Sequence, residues 1–124
     1  RIPQNKGYPD LINSRNIIGY SDYNQDRYIH LGPEGDSFIA LTKQPSKIPY
    51  LKTANARVTL FKRENQNINL SMISHTPIKF TLANMNDCSL WHENAIVNPQ
   101  RTENFDKYYE FSTGNKHDFF IKCS

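Results

Sequence analysis

The two cysteines of the chain, Cys88 and Cys123, lie in its last third, and each has a histidine nearby. Three residues separate Cys88 from His92, and five separate His117 from Cys123. Structural zinc sites usually use more closely spaced pairs such as Cys-x-x-Cys, so a Cys2His2 site is an alternative interpretation only, as is a pair of free thiols. The sequence predicts a disulfide between Cys88 and Cys123 that fastens the C-terminal strand to the body, with no metal and no cofactor.

A second set of residues has the types that RNA cleavage requires: a base, an acid and a cation for the phosphate. In chain order the sequence contains Tyr28-Ile29-His30, Glu34, Arg57-Val58, His75-Thr76 and Phe120-Ile121-Lys122-Cys123. This order resembles that of the small secreted fungal ribonucleases of the guanyl-specific T1 type. The resemblance implies a catalytic set of His30, Glu34, Arg57 and His75. The sequence departs from the family pattern because 49 residues follow His75 and both cysteines lie late in the chain.

Aromatic side chains outside the expected core positions favour binding over catalysis. They lie beside Asp, Asn and Glu, a mixture that lets a surface stack on a sugar ring or grip a protein partner while hydrogen-bonding its polar groups. The candidate binding residues are Tyr20, Tyr23, Tyr28, Trp91 and Glu93. Recognition is expected to use three loops, formed by residues 20–27, 32–36 and 91–94.

Composition excludes several classes of protein. The chain has 124 residues, enough for one core, and 12% of them are aromatic, which disordered chains lack. Its net charge of +3 comes from interspersed acidic and basic residues, so no duplex-DNA-binding stripe is expected. No apolar run approaches the roughly 20 residues that span a bilayer, so no transmembrane segment is expected. We expect an irregular N-terminal arm over residues 1–14 and a single β-rich domain over 15–124.

Short alternating segments separated by turn residues predict an antiparallel β-sandwich of the jelly-roll kind, with a β-trefoil as the alternative. The predicted strands are residues 16–23, 27–31, 37–42, 56–62, 68–74, 78–82, 88–91, 95–97, 108–111 and 118–122. Two hairpins are expected, one across Gly32–Asp36 and one across Ser112–Asn115. Only Gln100–Tyr109 has any helical character.

Alternation also predicts which side chains face the core. Ile68, Leu70 and Met72 are expected on one side of their strand, as are Ile78, Phe80 and Leu82 of the next. In residues 56–62 the same rule places Val58 and Leu60 on one face and Phe61 on the other. Residues 63–66 are expected to form a polar turn.

These observations together predict a secreted or periplasmic, disulfide-stapled binding module that recognises a glycan or protein on a host or neighbouring surface. Adhesins, toxin subunits, virulence effectors and inhibitors work in this way. A secreted ribonuclease-like enzyme is the first alternative. A structural subunit of an extracellular assembly, joined through its edge strands, is the second.

Overall fold

The structure is a computed structural model that describes residues 1–112 and 115–124. Within them the chain forms fourteen β-strands and one short 3-10 helix, Gln4–Lys6. The strands in chain order are β1 (Ile2–Pro3), β2 (Tyr8–Pro9), β3 (Ile17–Tyr23), β4 (Asp26–Leu31), β5 (Leu41–Thr42), β6 (Tyr50–Ala54), β7 (Arg57–Glu64), β8 (Asn67–Ser74), β9 (Ile78–Ala83), β10 (Cys88–His92), β11 (Ala95–Val97), β12 (Arg101–Glu103), β13 (Asp106–Phe111) and β14 (Asn115–Cys123). None of the described residues belongs to a helix long and apolar enough to cross a membrane.

Two antiparallel sheets face each other and enclose the main hydrophobic core. One has the strand order β11-β10-β14-β8-β7 and the other the order β12-β13-β9-β6. Every second residue of these strands points inward. The buried side chains they contribute are Leu51, Ile68, Leu70, Met72, Ile78, Phe80, Leu82, Leu90, Tyr109, Phe119 and Ile121. The predicted all-β sandwich is therefore confirmed, and the β-trefoil alternative is not adopted.

A third sheet, in the order β1-β4-β3, packs against the sandwich through β3 and β6. Gly19 of β3 permits this approach, because a Cβ built on it would lie only 1.7 Å from the backbone oxygen of Leu51. The junction encloses a second, smaller apolar cluster. Its buried members are Leu11, Ile17, Tyr20, Tyr50 and Ala83.

A buried arginine fastens the N-terminal residues to this third sheet. Arg27 of β4 is only 2% exposed, and its Nε and Nη2 donate to the two carboxylate oxygens of Asp22 at 2.7 and 3.0 Å. Its Nη1 donates to the backbone oxygen of Gly7, and its guanidinium lies 3.9 Å from the ring centre of Tyr8. The hydrogen bonds to Asp22 raise the pKa of Arg27 above its usual value. The N-terminal residues are thus held in two places: β1 pairs with β4 in the third sheet, and β2 pairs with β5 in a separate two-stranded sheet.

The predicted hairpin across Gly32–Asp36 is wrong. β4 pairs with β3 and β1, so its neighbours precede it in the chain. The segment that follows the turn contributes an isolated bridge between Phe38 and Arg15, and then β5 pairs with β2. β4 ends where this turn begins. β1 pairs with the edge of β4 at which residues 37–42 were expected to pair.

The predicted hairpin of the last two strands is also wrong. β13 pairs with β9 and β12, whereas β14 pairs with β8 and β10, so the two strands lie in opposite sheets. Part of the turn predicted between them, residues 113–114, lies outside the described residues. Residues 100–109 form no helix, because β12 and β13 pair as an antiparallel hairpin.

Side-chain alternation correctly predicts the buried faces of β8 and β9 but only part of β7. Pairing between β7 and β8 shifts by one residue between Val58 and Leu60. This bulge reverses the faces of the residues that follow, so Phe61 packs on the core and Leu60 is 37% exposed. It also brings Arg63, predicted to begin a polar turn, into the strand as an inward-facing residue.

Asparagine supplies most of the left-handed backbone positions in the described chain. Seven of its eight non-glycine residues with positive φ are Asn, and the eighth is Glu93. Several stand in tight strand connections, including Asn24 between β3 and β4 and Asn94 between β10 and β11. Because Asn adopts this conformation more readily than most residues, its abundance in the sequence has a structural use in these turns.

Candidate functional site

The predicted disulfide between Cys88 and Cys123 is confirmed. The two residues stand directly opposite each other on β10 and β14, with their Cα atoms 4.1 Å apart. Because both sulfurs are in the bond, the alternative Cys2His2 site does not form. The described residues contain no group of three or more His, Cys, Asp or Glu placed to hold a metal ion.

The two histidines of that alternative contact each other at the end of the sandwich. His117 Nδ1 lies 3.0 Å from His92 Nε2, and both rings pack beside Phe111 and Phe119. They face the interior side of the five-stranded sheet and extend its aromatic packing.

Trp91 and Phe120 stand side by side on the outer face of the five-stranded sheet. Leu90 and Phe119 are buried, so their chain neighbours Trp91 and Phe120 point the other way. The two residues are direct partners in the β10–β14 register. Phe120 in turn pairs with Asn69 of β8, so a polar side chain lies next to the two rings on the same face of the sheet.

Polar groups surround these rings. The same surface depression, of about 480 Å³, is lined by Trp91, Phe120, Asn69, Glu93, Asn94, Asp118 and Lys122. The depression therefore offers apolar ring surface beside two carboxylates, two amides and an ammonium group. We call this surface the Trp91 face.

Local structure fixes several of its members. The indole Nε1 of Trp91 donates to Ser89 Oγ at 3.0 Å, which restrains the orientation of the ring. Asp118 accepts a hydrogen bond of 2.6 Å from the buried Ser71. Glu93 and Asn94 have φ values of 52° and 64°, and they connect β10 to β11 in a two-residue turn.

The predicted binding residues divide between two regions. Trp91 and Glu93 line the Trp91 face, whereas Tyr20, Tyr23 and Tyr28 belong to the third sheet. The prediction that Tyr20 is an exposed recognition ring is wrong. It is 5% exposed, stacks on Tyr50 with ring centres 4.4 Å apart, and accepts a hydrogen bond from the Ser46 amide.

Tyr23 and Tyr28 are exposed, and they do not line the cavities found among the described residues. Arg27, the last residue of the loop predicted to bind with them, is buried in the contacts with Asp22 and Gly7. Tyr20 and Arg27 are therefore engaged in internal packing, whereas Tyr23 and Tyr28 lie on the surface.

Of the four ribonuclease-like residues, the structure brings two together. His30 and Arg57 line one groove of about 760 Å³ between β4 and the β6–β7 connection. Neither Glu34 nor His75 is among the described residues that line it, and both are exposed in turns. The His30 Nε2 lies 2.7 Å from the backbone oxygen of Lys52. Because a carbonyl only accepts, Nε2 carries the proton in this contact and is not available as a base.

Sequence reasoning missed Phe120, Asn69, Asp118 and Lys122. Phe120 follows Phe119 in the chain, and only the strand register decides which ring faces outward. Asn69 belongs to the N-glycosylation sequon Asn69-Leu70-Ser71, and such a motif does not indicate which residues lie beside it in a sheet. The signal available from the sequence was the run of three apolar residues, Phe119–Ile121, in a predicted strand, because the middle residue of such a run must face away from its two neighbours.

In comparisons with known proteins, no family model, no curated protein and no solved structure matches this chain.

Proposed function

We propose that this protein is an exported binding module that recognises a saccharide through the Trp91 face. The observation that carries the proposal is the placement of Trp91 beside Phe120 in a depression whose rim is made of carboxylate, amide and ammonium groups. The site is formed on paired strands, so its geometry is set by the sheet.

The chemistry of the face suits a sugar ring. One side of many pyranose rings presents C–H groups, which pack on an aromatic surface, while the hydroxyls need hydrogen-bond partners at the edge. Trp91 and Phe120 supply the surface. Glu93 and Asp118 supply acceptors, and Asn69 and Asn94 supply amides that both donate and accept.

The size of the depression agrees with a small ligand or the end of a longer one. Ligand pockets usually measure about 300–1,000 Å³, and the Trp91 depression, at about 480 Å³, lies in the lower half of that range. A terminal saccharide unit of a surface glycan is therefore the proposed target.

The disulfide supports the exported location. Disulfides persist in secreted, periplasmic and cell-surface proteins and are rare where thiol reductants are abundant. In this chain the bond joins two strands of the sheet that carries the Trp91 face. Export into an oxidising compartment and presentation of the face to another surface are therefore parts of one proposal.

The test is a glycan array followed by calorimetric titration of each hit. Trp91→Ala should weaken binding at least tenfold, equivalent to about 1.4 kcal/mol, because the principal stacking surface is removed. Tyr23→Ala is the matched control, since Tyr23 is 66% exposed but lies in the third sheet. It should leave the affinity unchanged.

Equal losses from both variants, or binding that survives Trp91→Ala, would contradict the proposed face. An array without hits would contradict saccharide recognition altogether. Circular dichroism of both variants checks that the fold is retained.

A further inference from the structure

A second cavity, of about 510 Å³, lies where the β7–β8 turn, the β9–β10 connection and residues 47–49 meet. Its walls combine apolar and polar groups. They include Leu11, Ile48, Pro49 and the disulfide between Cys88 and Cys123. Asn65 and Gln66 of the β7–β8 turn add amide groups at its edge. We call this cavity the Arg63 pocket, after the half-buried arginine that lines it.

Arg63 is held in the pocket wall without a hydrogen-bond acceptor for its buried nitrogen. Its Nη2 is shielded from solvent and has no partner among the described residues. The guanidinium lies 5.1 Å from the ring centre of Phe61, the only ring in the described chain with which it has a cation–π contact. Burial lowers the pKa of Arg63 to about 10, so the group still carries its charge at neutral pH.

No acidic side chain of the described residues forms an ion pair with Arg63. Its chain neighbour Glu64 projects from the other face of β7, where it lies 3.7 Å from Lys62. Asp87 lines the same pocket but is exposed, and it accepts from the Asn86 amide at 3.3 Å. Among the described residues, no ion pair therefore balances the positive charge of Arg63.

A buried charge is costly unless a partner of opposite sign balances it. Guanidinium groups are matched most closely by carboxylates and phosphates, which accept two parallel hydrogen bonds. An anionic group that enters the pocket would neutralise the charge of the guanidinium that lines it.

We propose that the Arg63 pocket binds a monocarboxylate that carries an apolar tail. The carboxylate contacts Arg63, and the tail packs on Leu11, Ile48 and the disulfide. This site is separate from the Trp91 face, and the inference does not rest on the proposed saccharide recognition.

The charge balance favours a carboxylate over a phosphate. Arg63 is half-buried in the pocket wall, and the other basic residue in the lining, Lys47, is exposed at the rim. Asp87 lines the same rim with the opposite sign. One negative charge neutralises Arg63, whereas a phosphate monoester brings nearly two, and the second has no buried partner.

The experiment is a titration of the full chain with octanoate, followed by calorimetry and by the shift in melting temperature. Octanoate should bind and raise the melting temperature, because a ligand of the folded state stabilises it. Octanamide has the same tail without the charge and should bind at least tenfold more weakly. Octyl phosphate should also bind more weakly than octanoate.

Arg63→Met removes the charge and keeps much of the side-chain volume. It should weaken octanoate binding at least tenfold. Arg57→Met is the matched control, since Arg57 belongs to the same strand but is exposed and lines a different groove. It should leave octanoate binding unchanged, as should Trp91→Ala.

Three results would overturn the inference. Octanoate that neither binds nor shifts the melting temperature would show that the pocket takes no such ligand. An equal affinity in Arg63→Met would show that the guanidinium is not the anion contact. Octyl phosphate that binds more tightly than octanoate would assign the pocket to phosphate esters.

Discussion

Arg27 is buried and Arg63 is half-buried, and the surroundings of the two guanidinium groups differ in almost every respect. Arg27 meets the carboxylate of Asp22, the backbone of Gly7 and the ring of Tyr8, and the hydrogen bonds to Asp22 raise its pKa. Arg63 has a buried nitrogen without an acceptor, and burial lowers its pKa.

The difference separates a structural role from a binding role. A buried charge whose partners all come from the protein holds the fold together. A buried charge that lines a cavity and has no such partner leaves a position for an outside group. Arg27 closes the region around the N-terminal residues, and Arg63 leaves its pocket open to a ligand.

The largest effect is expected from Gly19→Ala, which would detach the Arg27 region from the sandwich. The added Cβ would lie 1.7 Å from the Leu51 oxygen, a backbone atom that cannot move aside alone. Destabilisation of about 4 kcal/mol or more is expected, as for severe overpacking and backbone displacement. Urea unfolding measures it, with Gly35→Ala as the control, because nothing lies within 4 Å of a Cβ there. The positive φ of Gly35 limits that control to a cost of about 1 kcal/mol. Equal losses in the two variants would contradict the close β3–β6 contact.

Arg27→Met tests the closed region directly. It leaves Asp22 and the Gly7 carbonyl without their donor, and a loss of about 3 kcal/mol is expected because three hydrogen bonds from a buried, charged guanidinium disappear, although the Asp22 side chain is itself 43% exposed. Urea unfolding measures the loss, and hydrogen exchange should show that residues 2–9 lose protection first. A variant as stable as the parent chain would mean that the Arg27 contacts are dispensable.

A disulfide forms part of the wall of the Arg63 pocket, whereas the Arg27 region contains none. Removing that bond with Cys88→Ser and Cys123→Ser together should cost about 3 kcal/mol, mostly through the greater freedom of the unfolded chain. Thermal unfolding with and without reductant measures it, and the double variant should no longer respond to reductant. An unchanged melting temperature would remove the main physical support for an oxidising compartment.

The smallest effect is expected from Arg63→Met in the absence of ligand. Replacing an uncompensated buried charge by an apolar side chain is expected to change stability by less than about 1 kcal/mol, or to increase it. Urea unfolding of Arg63→Met beside Arg27→Met provides the direct comparison. Similar large losses in the two variants would show that both arginines are structural.

The sequence predicted the parts of the fold that depend on local pattern. Strict alternation gave the buried faces of β8 and β9, and the late pair of cysteines gave the disulfide. Strand partners were predicted less well, because Gly32–Asp36 marks a turn without specifying what pairs after it. β1 pairs with the edge of β4 at which residues 37–42 were expected to pair, and no local sequence pattern indicates this.

The candidate sites show the same limit. Trp91 and Glu93 were predicted from their residue types, but Phe120 joins them only through the β10–β14 register. Arg63 was missed because a bulge between Val58 and Leu60 changes the direction of every later side chain in β7. A bulge in a regular alternating segment has no signature in this sequence.

The position of the disulfide also determines how the chain would carry a mechanical load. Cys88 is the first residue of β10 and Cys123 the last of β14, so the disulfide encloses the strands from β10 to β14 in a covalent loop. Tension applied across the two cysteines passes through the sulfur–sulfur bond, so the residues between them cannot be drawn out. At about 3.5 Å per extended residue, the bond withholds on the order of 120 Å of chain from stretching. A module attached to a moving surface would yield first in its N-terminal half, while the strands that carry Trp91 and Phe120 stay joined at one end.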